Sequence, residues 1–148
     1  MREILFRGKK LWDGEWVEGY YVHISEGEGT YDREHHYIQT DYKGRLGPRY
    51  EIVPETQGEF IGQKDKNGRK VFEGDICAKR DYFDRLILLE IGYEDASFCY
   101  RHIGNTKYWT PIDDNEYGIV ISNLEVIGNI HDDPNYVRSE KKEEPYET

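Results

Sequence analysis

Gln63-Lys64-Asp65-Lys66-Asn67-Gly68-Arg69 runs directly into Lys70-Val71-Phe72-Glu73-Gly74-Asp75-Ile76-Cys77, and this stretch decides the fold class. Asn-Gly supplies the two positive-φ residues of a type I′ turn, so Asn67-Gly68 predicts a tight hairpin tip. The segment Val71 to Cys77 follows the tip, with a strand beginning at Gly74-Asp75. Downstream, Leu86-Ile87-Leu88-Leu89-Glu90-Ile91 is nearly continuously apolar, the pattern of a strand buried on both faces for much of its length. Phe98–Ile103, Tyr108–Ile112, Tyr117–Ile121 and Leu124–His131 read as further short strands.

Upstream, period-2 alternation also dominates. Ile4 and Phe6 share one face of an opening strand, and Trp16, Tyr20, Val22 and Ile24 share one face of a second. Asp13-Gly14 marks a turn between them, although Leu11-Trp12 permits a longer, irregular connection. Residues 25–35 lack apolar periodicity and predict a mobile loop. Strands resume at His36–Thr40 and Tyr50–Val53. Pro54 suits the first turn of a brief helix through Phe60, because its missing N–H costs nothing there. The expected fold is therefore mainly β, built from short antiparallel strands. It has an N-terminal hairpin lobe (1–60), a C-terminal SH3-like, partly open barrel (61–137), one very short helix near 54–60, and a flexible acidic tail (138–148).

The chain has 148 residues, with 20 basic and 30 acidic side chains and a net charge of −10. Residues 1–73 carry −2 and residues 74–148 carry −8. Nucleic-acid binding rewards clustered Lys and Arg through counterion release, so direct binding to nucleic acid is disfavoured. No apolar run approaches the ~20 residues of a membrane-spanning helix. Met1-Arg2-Glu3 does not open a secretory signal, and two cysteines do not make a disulfide scaffold, so a reducing cytoplasm is expected. The 13 tyrosines fall mostly inside strand-like segments and suit half-buried pleated surfaces.

Several segments, in order, resemble the YopX family of phage and prophage proteins. Arg2-Glu-Ile-Leu-Phe-Arg-Gly8 and Gly14-Glu-Trp-Val-Glu-Gly-Tyr20 are similar to its N-terminal hairpin, and the block from Val53 to Ile76 is similar to its central element. Val126-Ile-Gly-Asn-Ile130 with Asp133-Pro134 is similar to its closing element. The resemblance runs from about residue 2 to 136 and is weakest over 25–49 and 79–123. It implies a β-rich fold and expression from a phage or prophage genome in a bacterial host. It brings no catalytic residues with it.

Other constellations favour structural readings. Asp65-x-Asn67-Gly68 has a partial likeness to an EF-hand loop, but that alignment puts Gln63 first and Gly74 twelfth, where Asp and Glu are required. Cys77, Cys99 and His102 do not make the two close ligand pairs of a zinc site, so the thiols are expected as small buried groups. His35-His36 reads as a solvated loop pair. Glu73 and Asp75 could pair as carboxylates, but turn geometry at Gly74 accounts for them equally. No phosphate-binding loop or nucleophile elbow is present, and no cofactor is expected.

The expected function is a non-enzymatic cytoplasmic interaction module that contacts a phage or host protein. An alternative is an acidic nucleic-acid mimic in which Asp113, Asp114, Glu116, Asp132 and Asp133 stand in for phosphates. A second alternative is a weak metal-dependent hydrolase using a carboxylate pair. Unpaired strand edges also make a homo-oligomer plausible.

Overall fold

The computed structural model describes residues 2–27, 33–104, 108–112 and 119–136. Its strands are β1 (Phe6–Lys9), β2 (Trp16–Glu26), β3 (Arg33–Tyr42), β4 (Arg45–Glu51), β5 (Gly58–Lys64), β6 (Lys70–Phe72), β7 (Asp75–Arg80), β8 (Leu86–Glu94), β9 (Ser97–His102), β10 (Thr110–Pro111) and β11 (Glu125–Asn129). They form two antiparallel sheets, ordered β4-β3-β2-β1-β5-β6 and β10-β9-β8-β7-β11. The mainly β class stands. Both sheets have open ends, so the described strands close no barrel. The chain divides into two compact units, Met1–Phe60 and Ile61–Thr148.

In the first unit, the connection between β1 and β2 is the longer, irregular one. Lys10 N–H donates to the Glu15 carbonyl and Gly14 N–H to that of Lys10. Register runs from Phe6↔Gly19 to Lys9↔Trp16. The small core centres on Ile38, Ile52 and Phe60. Gly8 makes room for it, since an added Cβ there would stand 2.5 Å from Ile52 Cδ1. The helix expected over 54–60 is only a 3₁₀ turn at Pro54–Thr56. Thr56 Oγ1 donates to the Val53 carbonyl and accepts Lys9 N–H, and the backbone returns to β5 at Gly58.

The mobile loop expected over 25–35 is corrected at both ends, while residues 28–32 lie outside the described residues. Ser25 and Glu26 extend β2, and Arg33 to His35 extend β3, paired as Ser25↔Glu34 and Glu26↔Arg33. A hairpin arm with water on its faces has no apolar stripe to reveal its pleat, so alternation misses it. The β3–β4 turn is likewise unmarked by a standard dipeptide. Lys43 (φ 51°) and Gly44 (φ 81°) both adopt left-handed backbone there.

In the second unit, the Asn67-Gly68 tip forms, but only Gly68 has positive φ (82°). Asp65 replaces the expected type I′ geometry by accepting N–H bonds from Asn67 (2.8 Å) and Arg69 (2.9 Å). Its other carboxylate oxygen accepts the Val126 N–H at 2.9 Å, fixing the tip to β11. Gly74, at φ 89°, turns the chain from β6 into β7, where buried Asp75 accepts the Phe72 N–H at 2.8 Å. The structure thus gives Asp75 the turn role.

Ile61, Val71, Cys77, Leu89, Ile91, Tyr100, Ile119, Ile121, Leu124 and Val126 form the second core. Ile87, Leu89 and Ile91 face it along β8, as alternation requires. Burial of the other face is partial: Leu86 is exposed, whereas Glu90 is buried and paired with Arg101 at 2.9 Å. Arg101 in turn lies over the Trp109 ring at 5.0 Å. The strand expected over Tyr108–Ile112 shortens to Thr110–Pro111; of the strand expected over Tyr117–Ile121, residues 117 and 118 lie outside the described residues and Ile121 instead opens a 3₁₀ turn, Ile121–Asn123. The tail at 138–148 lies outside the described residues.

Candidate functional site

The β1–β2 connection and the end of β4 build a groove of about 450 Å³, lined by Lys10, Leu11, Trp12, Arg49, Tyr50 and Glu51. Backbone bonding sets its walls: Leu11 N–H donates to the Glu51 carbonyl, and Lys10 bridges to Ile52. Lys10 forms an ion pair with Asp13 at 3.3 Å and places its ammonium 4.6 Å from the Tyr50 ring centre. Arg49 lies 4.2 Å over Tyr37. Trp12 is 93% exposed.

Trp, Tyr and Arg dominate binding hot spots because they offer rigid apolar area with a polar handle. Here all three line one concavity beside edge strand β4. Pro48 within β4 has no N–H to offer a further strand, which blunts pairing along that edge. Chemically, the groove can hold an apolar side chain against Trp12 and Leu11, with two cations nearby for an acidic neighbour. In the linear sequence Leu11-Trp12 reads only as part of a turn. The available clue is a Trp beside Asp-Gly with no alternating strand to bury it.

The second unit displays another aromatic pair. Asp81 accepts N–H bonds from Phe83 (2.9 Å) and Arg85 (2.8 Å) and pairs with the Arg85 guanidinium at 2.8 Å. The backbone N–H bonds, with the Arg85 side-chain bond and ion pair, hold the Asp81 carboxyl below its usual range. This braced β7–β8 turn projects Tyr82, 95% exposed, and Phe83 in edge-to-face contact.

The proposed phosphate-like acids are only partly described. Asp113, Asp114 and Glu116 lie outside the described residues. Asp133 accepts the Asn129 N–H at 3.1 Å, and Asp132 accepts the Asn129 side-chain amide at 3.1 Å. Both therefore brace the turn after β11. Gly128 admits Asp133, because an added Cβ would stand 2.3 Å from its Oδ2.

Cys77 and Cys99 are buried, and burial pushes their thiols up to about 12 and about 11. Burial, with Lys79 nearby, lowers the His102 pKa. The expected result is that the folded chain resists thiol alkylation at pH 8 at least about tenfold more than the unfolded chain, since thiolate and access are both required. Rapid, complete labelling without denaturant would contradict this.

His35 and His36 lie on β3 rather than in a loop. His35 Nδ1–H donates to Glu51 at 2.8 Å, while His36 pairs across the hairpin with His23.

The fold so assembled is that of a mainly β protein made of two open antiparallel sheets. Residues 5–138 match the family model described as YopX protein, so the chain belongs to the YopX family. Protein EF1440 from Enterococcus faecalis, known from a crystal structure, is similar in fold: TM-score 0.50 and 20% identity, over 93% of this chain and 99% of that one. No curated protein matches the chain. Among the described residues, no helix is long and apolar enough to cross a membrane.

Proposed function

We propose that this YopX-family protein is a non-enzymatic interaction module of phage or prophage origin, acting in the cytoplasm of a bacterial host. The groove of Lys10, Leu11, Trp12, Arg49 and Tyr50 carries the reading. An exposed Trp with neighbouring Tyr and two cations suits a protein segment combining an apolar side chain with acidic residues. Carbon-rich contacts of this kind are largely insensitive to salt, whereas a mimic of nucleic acid depends steeply on it.

Affinity capture from host lysate at two salt concentrations tests the proposal. The expected result is one defined partner retained at both salts. Trp12→Ala weakens its binding by about 2 kcal/mol or more, roughly thirtyfold. Retention by the variant at wild-type affinity would remove the groove. Release of the partner at high salt, together with unaltered low-salt binding by Trp12→Ala, would favour the acidic mimic instead.

A further inference from the structure

We infer that His23, His36 and Glu34, at the outer end of the β2–β3 arm, form a binding site for a single zinc ion. His23 and His36 occupy directly paired positions on adjacent strands, and Glu34 lies two residues before His36 on the same face of β3. One potential donor atom from each residue lies within 4.8 Å of the other two. The imidazoles stack with centres 4.3 Å apart, and Glu34 Oε1 stands 3.6 Å from His23 Nε2.

Two imidazole nitrogens and one carboxylate oxygen suit zinc, as does the three-ligand count, which leaves a fourth position for water. Tetrahedral zinc places its donors about 3.3 Å apart, so small side-chain rotations complete the site. The His23 and Glu34 side chains are 43% and 64% exposed, which gives the ion an entry path.

A second shell is already in place. The Tyr21 hydroxyl hydrogen-bonds with His36 Nδ1, which leaves Nε2 as the nitrogen to take the metal. With zinc on Nε2, Nδ1 keeps its proton and donates to the tyrosine oxygen. Tyr21 is therefore a positioning residue. The bound ion joins the two strands beyond the unit's apolar core and stabilises the arm. This inference is independent of the groove.

The test is calorimetric titration of metal-stripped full chain with zinc chloride, with cobalt chloride as a visible reporter of coordination number. The expected result is one ion per chain, a rise in melting temperature, and the intense d–d absorption of four-coordinate cobalt. His23→Gln, His36→Gln and Glu34→Gln each weaken binding about tenfold or more, Tyr21→Phe weakens it about tenfold, and His35→Gln leaves it unchanged. Unaltered zinc affinity in His23→Gln and Glu34→Gln, both at exposed positions where folding is retained, would overturn the site. So would equal loss in His35→Gln, or cobalt spectra of a purely hydrated ion.

Discussion

Asp65→Ala lowers the folding free energy by about 3–5 kcal/mol, because three backbone N–H groups lose their acceptor together. Asn67, Arg69 and Val126 all donate to this carboxylate, which is only 5% exposed. A typical domain has only about 5–15 kcal/mol of stability to lose. Asp65→Asn separates shape from charge: one amide oxygen can serve the tip, but the amide nitrogen cannot accept the remaining N–H.

The pH dependence arises from the same contacts. Burial alone raises the Asp65 pKa, but the bonds from Val126, Arg69 and Asn67 outweigh it and the net shift is downward. A carboxyl with a lowered folded pKa stabilises the fold above its unfolded value near 3.8, and that contribution disappears as pH falls through the folded pKa. Urea unfolding should therefore show a large gap between wild type and Asp65→Asn at neutral pH, shrinking as pH falls below the unfolded value of 3.8. A gap that is small at neutral pH, or that widens in acid, would contradict this role.

Gly19→Ala should cost about 3 kcal/mol, the upper range for forcing a methyl into packed structure. Its Cβ would stand 2.2 Å from the Gln39 carbonyl oxygen and 3.0 Å from Ile38 Cγ2. The first is backbone and cannot rotate away, so β2 and β3 must separate, and the His23–His36 pairing with them. Gly14→Ala is the control: open space surrounds it and only left-handed strain at φ 73° remains, about 1 kcal/mol. Equal stability losses in the two variants would show that close approach at Gly19 is not limiting.

These residues also show what a linear reading can reach. Alternation of Ile87, Leu89 and Ile91, the turn at Asn67-Gly68 and the strand entry at Gly74-Asp75 act over a few neighbouring residues. Each is written in local chemistry, and together they yield the mainly β class. Pro54 suits the start of an α-helix and of a 3₁₀ turn alike, so the sequence does not separate the two. Pairing of β5 with β1 draws the chain into a strand by Gly58 and leaves room for the turn alone. Likewise Asp65 announces a turn but not its bond to Val126, a partner 61 residues away.

Local order in the chain therefore dictates strands, turns and an acidic balance, because pleat and turn preferences are properties of a few consecutive residues. Which polar side chains meet is settled by register and folding back. Trp12 comes beside Arg49 only when the β1–β2 connection bonds to the end of β4, and His23 meets His36 only at one pairing of β2 with β3. A slip of one residue in that pairing would send the facing side chains to opposite sides of the sheet. No spacing along the chain encodes that choice.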